Sequence, residues 1–364
     1  MNSDTPNYIE NQLILNLSRE DLAIDEINSL LEQSINWDYL IETASKHCVI
    51  PLVFKNLNDY FSDKIPQNIL VEMQSQYKDI STYNFMLSAQ VIGIINALRQ
   101  NDLDILTYKG MTLAQLAYKD ISLRQFGDID VLIRKEDFPK VKDILINMGC
   151  KPAWEVTEKQ ERATLKYYYE YPFIYGETST LVEVHWKFIE PFFAFDYATE
   201  KVWERTQTVE ICSNDVPTLA SEDYLIVLSS HGSKHFWERF SWICDIARLV
   251  ENTEIDWDLM IKRATEVGSL RMVWLGLWMA RETLNTKMPE EIYKRVSAEP
   301  EIQELGKNFI KAIFSETQES QDWKETAKIH MRMREKRKHR IIYYKRLLST
   351  KLIDSLFMPM GRPQ

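Results

Sequence analysis

The sequence predicts an α+β protein: a mixed β-sheet with flanking helices, set between an N-terminal and a C-terminal helical region. Three observations carry this reading. Residues 8–99 place apolar side chains at helical spacing, residues 101–219 change to a strand-like period, and the helical pattern returns from Ser221 onward. At 364 residues and 45% hydrophobic content the chain can bury a substantial core, and its 10 glycines are too few for a turn-rich all-β architecture. The expected division is 1–100 for the N-terminal helical region, 101–219 for the sheet module and 220–364 for a C-terminal helical domain with a basic final helix. No internal repeat and no Gly/Ser linker separates these parts, so they are expected to pack directly against one another.

In the first region Asp21 or Asp25 is placed to start a helix, Asn36-Trp-Asp38 opens a second run and Pro51 interrupts the next. From Pro66 to Arg99 neither Gly nor Pro occurs until Gly93, and Leu70, Met73, Tyr77 and Ile80 recur at the spacing of a long amphipathic helix. Met73 and Met86 at such positions are packing residues. In the middle region strands are expected at 103–107, 129–134, 149–156, 165–175, 180–188 and 208–212, with helices at 110–118 and 136–148. That order implies a mixed sheet with helices on one face. Ser221-Glu-Asp-Tyr224 then reads as a helix cap with acids in the first turn.

Within the middle region, Asp128-Ile129-Asp130 puts two carboxylates on an otherwise apolar strand. Residues i and i+2 of a strand share a face. Adjacent carboxylates repel and are costly to desolvate, so the pair is most stable beside a divalent cation, Mg2+ first and Mn2+ as the alternative. The competing reading is a strand alternating between core and water. Its neighbours favour the cation. Upstream, Leu103 to Gly110 is a short β-rich segment ending in Lys109-Gly110, followed by a helix-like run to Tyr118. Downstream, Ser179 to Lys187 alternates Leu181, Glu183 and His185 against Val182, Val184 and Trp186, supplying a third carboxylate on a second strand. Such a cation is usually shared with substrate phosphates, which points to phosphoryl or nucleotidyl transfer.

These pieces together resemble the polymerase-β-like nucleotidyltransferase superfamily, in which a strand, a Gly turn, a helix, a DxD strand and a later single-carboxylate strand build the site. More narrowly, the chain resembles a bacterial family of uncharacterised nucleotidyltransferases with a Lys-Gly turn, an Arg shortly before Gly-Asp-Ile-Asp, and an acidic-x-His-Trp strand. The likeness extends to His231-Gly-Ser-Lys-His235, to Trp242-Ile-Cys-Asp245 and to the closing Met-Pro-Met-Gly-Arg-Pro363, covering roughly 100–364. Two departures stand out: Lys109-Gly110 replaces the usual Gly-Ser or Gly-Gly, and Glu183 replaces the more usual Asp.

The resemblance implies that Asp128, Asp130 and Glu183 hold metal on a nucleoside triphosphate, ATP favoured, while a nucleoside monophosphate passes to an acceptor hydroxyl. Lys109, Gly110, Arg124, His185 and Lys234 are the candidate nucleotide contacts. The structural alternatives are an ordinary strand-to-helix turn for Lys109-Gly110, a salt bridge to the sheet edge for Arg124 and a hydrogen-bonded structural histidine for His185. Trp186 faces away and reads as core. His231 and His235, spaced i and i+4, have the geometry for zinc but lack a third ligand, so a helix packed over the cleft is the simpler reading. Asp245 is placed either to pair with one of these groups or to serve as a cap or surface ion pair.

The formal charge of −10 argues against nucleic-acid or anionic-membrane binding by the whole surface. Residues 324–351 are the exception, with eleven Lys/Arg against Glu325 and Glu335. Ile341, Tyr344, Leu348 and Leu352 make the second half amphipathic. This segment is a helix packed on an acidic module, an RNA contact or a membrane-surface helix. The cysteines Cys48, Cys150, Cys212 and Cys244 lack CxxC spacing, no window reaches ~18 apolar residues, and the first residues lack a signal-peptide pattern; a cytoplasmic protein is expected. For function, nucleotidyl transfer to a small molecule or to a polysaccharide or natural-product intermediate stands first. Transfer to tRNA or protein, a DxD glycosyltransferase and a non-catalytic nucleotide-binding protein are the alternatives. The glycosyltransferase is disfavoured by the helical character of the hundred residues before DxD.

Overall fold

The computed structural model describes residues 6–345 and 347, apart from 155, 177, 190–192, 194–198 and 316–322. The chain begins with α1 (Tyr8–Leu17), α2 (Ile24–Leu31), α3 (Trp37–Lys46), α4 (Ile50–Phe61) and the 33-residue α5 (Gln67–Arg99). Asn36 caps α3, its side chain accepting from the Tyr39 N–H at 3.2 Å. Pro51 lies in the first turn of α4, where its missing N–H costs nothing, so it starts that helix rather than interrupting one. The N-terminal end of α5 packs Ile69 and Met73 among the helices, and its C-terminal end packs Leu87, Val91, Ile94 and Leu98 on the sheet.

The middle of the chain runs β1 (Ile105–Thr107), α6 (Gly110–Leu113), β2 (Asp128–Ile133), α7 (Phe138–Asn147), β3 (Cys150–Pro152), α8 (Glu158–Tyr167), β4 (Glu170–Tyr175), β5 (Thr180–His185), α9 (Thr199–Trp203), β6 (Gln207–Ile211) and β7 (Asn214–Thr218). The first five strands form one sheet in the order β1-β2-β5-β4-β3, with β2 and β5 parallel and the remaining pairs antiparallel. Period-two alternation gives this sheet two unlike faces. Ile129, Val131, Ile133, Val182, Val184, Tyr171 and Phe173 form the apolar face, buried under α5 and α7. Asp128, Asp130, Glu183 and His185 fall on the other, beside Leu106 and Leu132.

Two expectations are corrected here. The long strands expected at 149–156 and 165–175 are shortened by α8, which starts at a capping box: the Thr157 hydroxyl accepts from the Gln160 N–H while the Gln160 side chain accepts from the Thr157 N–H. Expected strand 208–212 has an unforeseen partner in β7, and the two form a separate hairpin. Pro217 and the polar Asn214-Asp215 mask β7 in the sequence.

The C-terminal part comprises α10 (Ser221–Lys234), α11 (Phe240–Asn252), α12 (Trp257–Val267), α13 (Leu270–Leu284), α14 (Glu290–Ser297), α15 (Pro300–Ile313) and α16 (Trp323–Arg332), with further helical turns over 337–345. Ala220, not Ser221, holds the cap position of α10, though Glu222 and Asp223 lie in its first turn as expected. Part of the basic segment is packed onto the protein, while Lys324, Lys328, Arg337, Lys338 and Lys345 are exposed. Arg332 pairs with Glu301 and Glu304, and the buried Arg334 guanidinium lies 4.4 Å from the Phe193 ring centroid and 4.3 Å from that of Tyr343. Ile341 and Tyr344 are exposed, while Leu348, Leu352 and the closing Met358 to Pro363 lie outside the described residues. Among the described residues no helix is long and apolar enough to cross a membrane, and all four cysteines are free thiols.

His47 joins the two helical parts. It is buried, its Nδ1 accepts from the Phe240 N–H at 3.4 Å, and its carbonyl accepts from the Ser241 N–H at 3.2 Å. Burial, reinforced by the Lys46 charge, lowers its pKa to about 4. An unfolded histidine titrates near 6.5, so acidification favours the unfolded chain from about pH 6.5 until the folded side chain also protonates near pH 4. His47→Asn retains an acceptor for Phe240 and removes the titration. Urea unfolding from pH 7 to 4 is expected to show a shallower stability loss in this variant, by on the order of 2–3 kcal/mol. Parallel profiles would contradict the assignment.

Candidate active site

Strand register brings the acidic residues together. In the parallel β2–β5 pair, Asp130 lies directly beside Glu183, Asp128 beside Leu181 and Leu132 beside His185. Because both strands alternate in phase, Asp128, Asp130, Glu183 and His185 all project from one face. The Asp130 side chain is fully buried, Glu183 is about a quarter exposed, and Asp128 is half-buried.

His185 sits at the centre of this cluster. Its Nε2 is 3.1 Å from Asp130 Oδ1 and 3.4 Å from Glu183 Oε2, while Nδ1 is 3.5 Å from Glu170 Oε2 on β4. Burial opposes a charge on the ring, but hydrogen bonds to Asp130 and Glu183 and the Glu170 charge outweigh it and raise the pKa well above the ordinary histidine range. For Asp130 burial is likewise overcome, by the Lys109 charge and the His185 hydrogen bond, and the carboxyl is held down to about 2. Asp128 goes the other way. Burial, then the Asp130 charge, pushes it up to about 6. Asp130 Oδ2 is buried and has no hydrogen-bond partner among the described residues.

The Lys109-Gly110 turn meets the same cluster. Lys109 Nζ is 3.4 Å from Asp130 Oδ1, and Asp128 and Glu183 add to the negative field that keeps this lysine charged against the cost of its burial. Both residues have positive φ, 60° at Lys109 and 39° at Gly110. Glycine takes that region without penalty; for Lys109 it stores about 1–3 kcal/mol of strain. The α-helix started at Gly110 lasts only to Leu113, then widens into a π turn over Ala114–Tyr118.

A polar chain beneath the turn over-determines it. The Thr112 hydroxyl donates to the Lys109 carbonyl at 3.0 Å and lies 2.8 Å from the Tyr224 hydroxyl. That hydroxyl is 2.6 Å from Thr218 Oγ1, which donates to the Thr107 carbonyl at 2.7 Å. Sequence reasoning missed Thr112, Thr218, Tyr224 and Glu170. Only Glu170 carries a signal, as an acid at the start of the aromatic run Tyr-Pro-Phe; the others are distant in sequence and ordinary in type.

Arg124 extends its fork to Asp245 on α11, with Nε 2.8 Å from Oδ1 and Nη2 2.9 Å from Oδ2; the Tyr118 hydroxyl also donates to Asp245, at 2.7 Å. Arg124 is therefore held in a bidentate salt bridge to α11 rather than to the sheet edge, and it supplies the partner for Asp245. Asn84 of α5 donates to the Ile121 and Arg124 carbonyls, both at 2.8 Å, fixing the loop that enters β2. Lys234 lies with its ammonium 5.6 Å from the Tyr169 ring centroid, and that ring is 5.8 Å from His185.

The His231 and His235 rings lie 4.8 Å apart with their planes tilted by 55°, both against Trp242, and burial foremost keeps both neutral. Among the described residues no third donor joins them; the one group with three ligand atoms in mutual reach is Asp130, Glu183 and His185, within 4.8 Å. The glycine in His231-Gly-Ser-Lys-His235 has a packing role. A Cβ on Gly232 would lie 2.6 Å from the buried Trp237 ring, and one on Gly276 would lie 2.9 Å from it. Trp186, on the opposite face, is core, packed edge-on against Phe138 at 5.6 Å.

Comparison with known proteins agrees with this geometry. No curated protein and no solved structure matches the chain. A family model described as "Uncharacterised nucleotidyltransferase" matches residues 33–285. The match reaches further upstream than the motifs suggest, since α3 to α5 contribute packing and no chemistry-bearing signature, and it stops short of the basic segment. With more than half of its length matched, the chain belongs to the uncharacterised nucleotidyltransferase family.

Proposed function

We propose that this protein transfers a nucleoside monophosphate from a nucleoside triphosphate to an acceptor hydroxyl, with divalent metal bound through Asp128, Asp130 and Glu183. The observation that carries the reading is the parallel register of β2 and β5, which seats Asp130 beside Glu183 with Asp128 on the same face. The unpartnered, buried Asp130 Oδ2 and the all-anionic oxygen donors fit Mg2+ or Mn2+. When bound, such ions neutralise charge on the triphosphate and on the attacking and leaving oxygens.

The remaining work falls to the chain itself. Lys109, on its strained turn, holds a cation where triphosphate oxygens gather, and Lys234 lies further out beside Tyr169. Glu183, the more exposed partner of Asp130, is placed to receive the acceptor proton. The acceptor oxygen then bonds to the α-phosphorus as the bond to the bridging oxygen breaks, and pyrophosphate leaves. Positioning and charge neutralisation supply most of the rate.

ATP is the first donor to test, in a cytoplasmic setting. We favour a small-molecule, polysaccharide or natural-product acceptor over tRNA or protein: Arg332 and Arg334 of the basic segment are committed to contacts within the fold, and the exposed Lys324, Lys328, Arg337, Lys338 and Lys345 belong to a chain of net charge −10. The test is incubation with each of the four α-labelled ribonucleoside triphosphates, Mg2+ and a cell extract. Label is expected in a small acceptor, with pyrophosphate released. Release of inorganic phosphate without α-label transfer would contradict nucleotidyl transfer, and label in RNA or protein would overturn the acceptor class.

A further inference from the structure

We propose that His185 is itself a metal ligand, its Nε2 joining Asp130 and Glu183 in a mixed nitrogen–oxygen donor set that favours Mn2+ over Mg2+. This rests on the nucleotidyl-transfer reading for the presence of a cation and goes beyond it in the donor atom and the choice of ion.

Geometry comes first. Adjacent donors in an octahedron with bonds of ~2.1 Å are separated by about 3 Å. Nε2 lies 3.1 Å from Asp130 Oδ1 and 3.4 Å from Glu183 Oε2, close to two such edges. The back of the ring supplies a second, independent feature. Nδ1, buried and without a hydrogen bond among the described residues, lies 3.5 Å from Glu170 Oε2, and Glu170 is the antiparallel register partner of His185, buried with it. A metal-bound imidazole commonly turns its other nitrogen to a carboxylate, which fixes the ring and makes the ligating nitrogen more basic. Tyr108, edge-on at 5.5 Å, and Tyr169 at 5.8 Å hold the ring from its sides. Asp130 Oδ2, buried and without a partner among the described residues, leaves a carboxylate oxygen to complete the set.

The donor set determines the preference. Mg2+ strongly favours hard oxygen ligands, whereas an imidazole nitrogen raises affinity for first-row transition ions. Lys109, a single charge on a flexible stem, can move from Asp130 to substrate phosphate when an ion takes its place, and the ion displaces to solvent the proton that His185 Nε2 otherwise shares with Asp130 and Glu183.

Pulsed EPR of the full-length protein loaded with Mn2+ tests this without any turnover. Wild type is expected to show nitrogen-14 coupling from a directly bound imidazole. His185→Gln is expected to lose that coupling and to bind Mn2+ at least ~10-fold more weakly, while Glu170→Gln keeps the coupling and weakens binding by about 10-fold or more. The wild-type spectrum decides even if a variant fails to fold. Mn2+ bound with no nitrogen coupling would overturn histidine ligation and leave nucleotidyl transfer standing on oxygen ligands alone. Failure to bind Mn2+ both with and without a non-hydrolysable triphosphate would overturn this inference and the metal-based mechanism together.

Discussion

Under the proposed mechanism Asp130→Asn should lower metal-supported nucleotidyl transfer by about 10³-fold or more, because that mechanism assigns charge stabilisation worth several kcal/mol to a carboxylate at this position. Asp130 is the residue to which every other part of the site refers: Glu183 by strand register, His185 and Lys109 by direct contact, Asp128 by shared face. Asn has nearly the same shape and still offers an oxygen to His185 Nε2, but it removes the charge that faces Lys109 and His185, so a loss of melting temperature is expected beside the loss of turnover. Single-turnover transfer of α-label, measured beside thermal unfolding, separates the two effects. Turnover within tenfold of wild type would contradict the proposed role.

Arg124→Leu should destabilise the fold by about 3–5 kcal/mol, since it leaves the Asp245 carboxylate buried without its cation. The pair spans two parts of the molecule, with Arg124 on the loop entering the Asp128–Asp130 strand and Asp245 within α11, where its side chain is 1% exposed. Leu at both positions should recover most of the loss, because the surviving charge, not the missing attraction, is the larger cost. Urea unfolding of the two single variants and the double variant measures this. A phosphate-gripping Arg124 would instead raise KM and leave stability within ~1 kcal/mol, and that result would contradict the structural assignment.

How far the sequence reveals this site depends on the range over which each interaction acts. The spacing of Asp128 and Asp130 is local, and strand alternation assigns their face with no knowledge of the fold. The same alternation separates Glu183 and His185 from Trp186. That β2 and β5 are neighbours, with Asp130 in register with Glu183, is a long-range pairing that no local pattern encodes. Arg124 and Asp245 lie 121 residues apart, so the choice between salt bridge and phosphate contact could not be made from either segment. Thr112, Tyr224 and Thr218 are commonplace residues that acquire a role by converging beneath the Lys109 turn. Helix α8 is hidden for a different reason: Thr157-x-x-Gln160 is a start signal, but the aromatic Tyr167 to Tyr171 beyond it reads as strand.

Calorimetric titration of the full-length protein with a triphosphate analogue uncleavable between its α- and β-phosphates tests the central claim most directly, since it needs no acceptor. Binding should require a divalent cation and be lost in Asp130→Asn. Equal binding in the presence of a chelator, or undiminished binding by that variant, would contradict the account.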